Sequence, residues 1–303
     1  METSHLSHSE ALVNEDGCGT GLHSAWVLDG ASGVVRRQRR RGERVESDVS
    51  WFVQRVSQAL AALPPDAPLA ESLRPALRDI EAQLRLAWRI APVSEERPSA
   101  SLVHVRLRGT VAELTNLGDC CLLYRVDGGP VQRFGSTPLA TLEQALLQRL
   151  AALRRHDPLR PASELAMRLM PVVREMRRQM NQPGGYPILD PSGEGLADTQ
   201  QAQVSFQHRF EALLMSDGLY RLVDVFASRD DASLFEQAAQ PGGLSALLDE
   251  LRGIERADCE CSRWPRMKVH DDATGLWLAA SAPTGRRWAE PTQLTRQAVP
   301  SWG

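Results

Sequence analysis

The sequence predicts a mixed α and β protein, and three observations predict it. Apolar residues recur at helical spacing in some segments and alternate at period two in others. The 303 residues include 22 glycines and 19 prolines, so elements are interrupted often. No internal repeat or sustained heptad is present, which excludes a coiled coil or a repeat array. With 42% apolar and 24% charged residues, the chain can bury one large core and has little room for two.

Ser24 to Leu28 reads as a short apolar strand ending in Asp29-Gly30, and an arginine-rich loop follows from Arg36 to Arg44. Ser47 caps a helix with Asp48 in its first turn; Val49, Phe52, Val56, Leu60 and Leu63 keep helical spacing until Pro64-Pro65 ends it. A second helix runs from Leu69 to Ile90 with Leu73, Leu77, Ile80, Leu84 and Trp88 on one face, and Pro75 places its start near residue 74. From Ser99 the period is two. Three strands, Ser99 to Arg108, Val111 to Leu117 and Cys120 to Val126, read as a meander turned at Gly109, Gly118-Asp119 and Asp127-Gly128-Gly129.

Helices follow over Leu139 to Arg155 and Ala162 to Met180, their arginines opposite Leu165, Leu169, Val172, Met176 and Met180 as on a surface helix. Asn181 to Asp198 is rich in glycine and proline and reads as a mobile loop, either a lid or a plain connector. Gln203 to Phe206 and Phe210 to Ser216 read as a hairpin running into Asp217-Gly218. Helices around 231–252 precede a last strand, Thr274 to Ala280, and residues 283–303 read as a loosely held tail.

No apolar run is long enough to span a bilayer, and Met1 to Asp16 is polar rather than a basic-then-apolar leader, so a cytoplasmic protein is expected, without a membrane partner. Thirty-five basic residues face 38 acidic ones, a net charge of −3, so no global footprint for nucleic acid exists. Lys268 is the only lysine. Five cysteines in a chain of this size are expected to be reduced. Cys259 and Cys261 with His270 lack the second pair a zinc site requires and read as a structural loop. His104 lies mid-strand, while His23 and His270 border acidic motifs.

The chemistry is carried by aspartates at the ends of apolar runs: SAWVLD-G, FEALLMSD-G and DDATGLWLA. Each Asp-Gly alone is a turn. If Asp29, Asp217 and Asp271 converge at one rim of a sheet, their repulsion is most simply relieved by a divalent cation. Carboxylates, a glycine carbonyl and water favour Mg²⁺ or Mn²⁺ over zinc.

The order of motifs is informative: Asn14-Glu15-Asp16, Trp26-Val27-Leu28-Asp29-Gly30-Ala31-Ser32-Gly33, Ser99-Ala100-Ser101, Asn116-Leu117-Gly118-Asp119, Leu213 through Leu219, and Asp271-Asp272-Ala273-Thr274. In this order the chain resembles the metal-dependent serine/threonine protein phosphatases of the PPM, or type 2C, family in their bacterial form, over roughly residues 14 to 280. The resemblance implies an α+β fold, a four-layer αββα sandwich of two antiparallel sheets flanked by helices. It implies one phosphatase-like domain over residues 1–282, with an insertion about 136–200. It implies that Asp29 bridges two Mn²⁺ or Mg²⁺ ions, with the Gly30 carbonyl, Asp217 and Asp271 as further ligands, and that Asp119 with Asp217 marks a third ion's place. Glu15 and Asp16 would orient metal-bound water. The implied reaction is hydrolysis of phosphoserine and phosphothreonine on proteins by a hydroxide bridging the metals, with Asp29, Asp217 and Asp271 catalytic. A phosphoprotein substrate and a cognate serine/threonine kinase are the implied partners, in a signalling role.

The chain departs from the family at several points. Ala11 lies where many relatives hold a phosphate-binding arginine, Ala31-Ser32 alters the loop after the first metal aspartate, Arg221 stands where some relatives have an aspartate, and Asp272 replaces a common asparagine. Arg36 and Arg37, in the cluster that continues through Arg39, Arg40, Arg41 and Arg44, are candidates to bind phosphate instead; the alternative is a solvated loop. These departures leave a second reading, a catalytically weak or inactive pseudophosphatase that binds a phosphoprotein or kinase, and a third, a phosphatase of small metabolites. Cys120 and Cys121 read as small buried residues rather than nucleophiles.

Overall fold

The computed structural model describes residues 1–32, 38–41, 44–88, 93–135 and 138–283. Its strands are β1 (Glu2–His8), β2 (Gly17–Thr20), β3 (Ser24–Ala31), β4 (Gln38–Arg41), β5 (Arg44–Ser47), β6 (Ser99–Arg108), β7 (Val111–Leu117), β8 (Cys121–Val126), β9 (Gln132–Phe134), β10 (Gln200–Ser205), β11 (Arg209–Met215) and β12 (Ala273–Ser281). Its helices are α1 (Asp48–Ala61), α2 (Leu69–Trp88), α3 (Pro138–His156), α4 (Ala162–Arg178), α5 (Asp217–Asp224), α6 (Asp231–Ala238) and α7 (Gly243–Ala257).

Alternation along the strands builds the layers. On β3, Ala25 and Val27 meet Val103, Leu214 and Leu276 between the two sheets. Trp26 and Leu28 point the other way and pack against Phe52, Val56, Leu73 and Leu77 of α1 and α2. On β11, Ala212 and Leu214 face inward, while Leu213 and Met215 pack against Leu219, Phe235 and Leu247 of α5, α6 and α7. Strands covered on both faces are apolar at consecutive positions, which is why SAWVL and FEALLM carry so few polar residues. The result is the expected α+β, four-layer αββα sandwich. Its two five-stranded antiparallel sheets have the orders β10-β7-β6-β3-β2 and β1-β12-β11-β8-β9.

Several local expectations hold. Ser47 caps α1 in a reciprocal box with Ser50, each side chain accepting the other's backbone N–H at 3.0 Å. Trp88 Nε1 donates to Asp48 Oδ2 at 2.5 Å and ties the end of α2 to the start of α1. α2 starts at Leu69 rather than near residue 74, with Pro75 inside it. Leu69 and Leu73 lie on the same buried stripe as Leu77 and Ile80, and their packing outweighs the hydrogen bond that proline removes.

The meander and the second hairpin are corrected. β7 pairs with β6 and β10, whereas β8 pairs with β9 and β11 in the other sheet, so Gly118-Asp119-Cys120 is a crossover between layers. The β10–β11 connection crosses in the same way, held by Asp127, whose carboxylate accepts the N–H groups of Gln207, His208 and Arg209 at 2.7–2.8 Å. Part of the arginine-rich segment read as a loop is a two-stranded ribbon, β4 with β5. Arg36 and Arg37 lie outside the described residues, as does most of the C-terminal tail.

The segment after α4 is a packed connector. Leu189 exchanges backbone hydrogen bonds with Ala100 at the start of β6, and Tyr186, Ile188, Leu189 and Leu196 are buried. Arg177 of α4 is itself buried and donates to the carbonyls of Glu95 and Arg97 just before β6. Arg154 of α3 donates to the Glu260 carbonyl at 2.6 Å. The α3–α4 pair is therefore anchored to both halves of the sandwich.

Candidate metal centre

Strand register brings the predicted acids to one end of the sandwich. Asp29 stands opposite Ser101 near the end of β3 and the start of β6. Asp119 follows the end of β7, Asp217 follows β11, and Asp271 precedes β12, whose Gly275 pairs with Met215. Gly17 pairs with Leu28, which sets Asp16 beside Asp29 on the neighbouring strand. Antiparallel pairing makes all of these the same rim. His23 is at the other end of β3 and takes no part.

The backbone at this rim is closely packed. A Cβ on Gly30 would lie 2.2 Å from the Glu15 carbonyl oxygen, and one on Gly218 would lie 1.9 Å from that of Asp272. Glu15 is further fixed by its N–H, which donates to Asp272 Oδ2 at 2.7 Å, and by the Ser32 hydroxyl, which donates to its carboxylate at 2.6 Å. The Asp217 N–H, one of the free donors of the first turn of α5, donates to Asp29 Oδ2 at 3.2 Å. Asp119 is held by Ser101, the hydroxyl donating to Oδ1.

Carboxylates crowded out of water raise one another's pKa. Burial and the charges of Asp217, Asp16 and Asp119 push Asp29 well up. Burial, Asp272 and Asp217 do the same to Asp16, whose Oδ2 is buried without a hydrogen-bond partner. Asp119 is pushed up to about 6 by burial and by Asp217. Glu143, from α3, is raised by burial and by Asp119 and Asp217. Among the described residues, Asp119, Glu143 and Asp217 form the one set of three metal-ligating types whose oxygens all lie within 4.8 Å of one another. Cys259, Cys261 and His270 form no such set; His270 Nδ1 lies 2.8 Å from Glu255 Oε2 instead.

Asp271 differs. Burial raises its carboxyl, but Arg221 and Lys268 outweigh burial and hold it below the usual range. Arg221 Nη2 donates to Oδ2 at 2.5 Å and Lys268 Nζ to Oδ1 at 2.7 Å. Asp29, Asp119 and Asp217 thus share one crowded patch with Glu143, while Asp271 is paired beside it.

Glu143 was not anticipated from the sequence. Its signal is an acid on the stripe of α3 that also carries Leu139, Leu146 and Leu150, all buried. Cys120 and Cys121 are buried small residues, and burial with the neighbouring acids pushes the Cys120 thiol well up, away from a nucleophilic thiolate.

The donor set suits hard cations. Hard oxygens from several elements, mutually repelling and with an orphaned oxygen on Asp16, fit Mg²⁺ or Mn²⁺ and offer no soft ligand. Among the described residues no helix is long and apolar enough to cross a membrane.

No protein-family profile and no curated protein sequence matches the chain. Solved structures do. PppA, a key regulatory component of the T6SS in Pseudomonas aeruginosa, is 16% identical with a TM-score of 0.53, over 92% of this chain and 97% of that one. The catalytic domain of the serine/threonine protein phosphatase PstP, in complex with two manganese ions, is 17% identical with a TM-score of 0.52, over 93% and 98%. The Mycobacterium tuberculosis phosphatase PstP/Ppp is 16% identical with a TM-score of 0.53, over 92% and 97%. The chain has the fold of the PPM-type serine/threonine phosphatases.

Proposed function

We propose that the chain is a metal-dependent protein phosphatase that hydrolyses phosphoserine and phosphothreonine, with residues 1–282 as its catalytic unit. The observation that carries the reading is the convergence of Asp29, Asp119, Glu143 and Asp217 at the rim of a sandwich with a phosphatase fold. Asp29, the Gly30 carbonyl, Asp217 and Asp271 would hold two ions, and Asp119 with Asp217 and Glu143 a third. Bound there, Mn²⁺ or Mg²⁺ supplies Lewis acidity that makes water a nucleophile near neutral pH and offsets charge on the phosphate.

The chain's own residues do the positioning. Asp29, on a strand buried on both faces, keeps its carboxylate fixed against the N–H of Asp217. Glu15, locked by Ser32 and Asp272, and Asp16, with its free Oδ2, would accept hydrogen bonds from ordered water and orient it. The phosphate would be met by Arg36 and Arg37, which follow β3 in the sequence. A phosphorylated protein and its cognate kinase are the proposed partners, in the cytoplasm.

The test is release of phosphate from a phosphothreonine peptide by wild type and Asp29→Asn, with Mn²⁺, Mg²⁺ or chelator. Turnover that needs metal and falls by at least about a hundredfold in the variant is expected, since an electrostatic anchor of the transition state is lost. No turnover by wild type at saturating Mn²⁺ would overturn the assignment and favour a phosphoprotein-binding pseudophosphatase.

A further inference from the structure

Among the described residues, Asp271 is the carboxylate of the acidic rim whose charge arginine and lysine match. Arg221 is 8% exposed; its Nη2 reaches Asp271 at 2.5 Å while its Nη1 lies 3.5 Å from Glu255 Oε1. Glu255 is fully buried and also accepts from Arg252 Nη1 at 2.5 Å. Arg252 in turn donates from Nη2 to the Asp271 carbonyl at 2.8 Å. Helices α5 and α7 therefore grip Asp271 by side chain and main chain, around a shared glutamate. On the outer side stands Lys268, the only lysine of the chain, with a half-exposed side chain whose Nζ is 2.7 Å from Oδ1. Among the described residues none of Asp29, Asp119, Glu143 and Asp217 is paired with an arginine or lysine.

Both oxygens of Asp271 are thus engaged by cations. A divalent ion drawing on this carboxylate has to displace one donor and to accept a like charge a few ångströms away, and both weaken binding. Arg221 is locked between two acids, so it cannot leave. Lys268, on a flexible stem open to solvent, can swing away.

We propose that Arg221 and Lys268 form a built-in cationic clamp on Asp271, competing with divalent metal for that carboxylate and setting the affinity of its side of the site. Arg221 is the fixed jaw and Lys268 the movable one. This rests on the metal-centre reading above, and it makes Lys268 a positioning residue that lowers metal affinity.

The experiment is calorimetric titration of Mn²⁺ into wild type, Lys268→Gln and Lys268→Arg, a readout that needs no turnover. Because Lys268 is half-exposed, neither variant is expected to disturb folding, which thermal unfolding in chelator checks. Removing the charge should tighten the weakest Mn²⁺ site by about tenfold or more, while Lys268→Arg stays within about twofold of wild type. Wild type that binds Mn²⁺, with Lys268→Gln binding no tighter, would overturn the clamp and leave the metal centre standing. No Mn²⁺ binding by any of the three would overturn both.

Discussion

Ser101 and Asp119 hold each other across the corner where the chain passes between sheets: the Asp119 N–H donates to Ser101 Oγ at 3.1 Å, and the Ser101 hydroxyl donates to Asp119 Oδ1. Ser101 is 3% exposed and stands opposite Asp29 on β3, so the pair fixes the geometry of the crossover and of the acidic patch together. Ser101→Ala should cost about 1–3 kcal/mol in a urea melt, because a buried N–H and a carboxylate both lose their partner. An unchanged midpoint would show that water replaces the hydroxyl.

Glu143 brings a carboxylate from α3 to Asp119 and Asp217. Glu143→Gln removes one charge and keeps the shape. Mn²⁺ titration should show one site weakened by about tenfold, the order expected for one hard ligand, with the remaining sites unchanged. In chelator the same variant should melt higher than wild type, because repulsion with Asp119 and Asp217 is relieved. Equal metal affinity would remove Glu143 from the ligand set.

Stability without metal should fall as pH rises. Asp119 is pushed up to about 6, and Asp224 to about 7, by burial and the charge of Asp217, while Asp29, Asp16 and Glu143 move in the same direction. Folded values above the unfolded ones mean that the folded chain binds more protons. The associated stability is therefore full below the unfolded values near 4 and is lost as pH passes through the folded ones. His104 acts oppositely: burial and Arg106 lower it to about 3, so acid below about pH 6.5 costs stability through its unfolded form. Between pH 6.5 and 8, where His104 contributes little, the melting temperature in chelator should drop by about 5 °C. Asp29→Asn should reduce the drop, and a rise over that window would contradict the crowding of the patch.

Two glycines should respond oppositely to alanine. At Gly218 a Cβ would meet the Asp272 carbonyl at 1.9 Å, backbone against backbone, so Gly218→Ala should cost about 2–3 kcal/mol and loosen the contact between α5 and Asp271. Gly253 lies in α7 with no atom near its absent Cβ, so Gly253→Ala should stabilise by about 0.5–1 kcal/mol. Denaturant melts of the two variants compare them directly.

Much of the rim was legible because aspartate is costly at the end of an apolar strand unless something uses it. Asp29, Asp119 and Asp217 fall at such ends, and register brings them to one place. Glu143, Arg221 and Lys268 carry no comparable mark. For two of them the partners lie far away in sequence: Glu143 meets Asp217 from the α3–α4 pair, and Arg221 meets Asp271 from another helix. Lys268 is only three residues from Asp271, but which acid it pairs with depends on where that loop is held.

The sequence by itself determined that segments such as Ser24–Leu28 and Phe210–Met215, apolar at consecutive positions, need cover on both faces. It also determined helix starts with local chemistry, as at Ser47, and the hard oxygen character of the acids at the strand ends. Which strands pair across Gly118-Asp119, where α2 begins despite Pro75, and which acid is matched by arginine and lysine were decided only in the tertiary structure. A glycine-aspartate corner has the same local energy whether the next strand stays in its sheet or crosses to the other. Only burial of Leu122 and Leu214 between the sheets, and of Glu255 among three basic side chains, separates the alternatives.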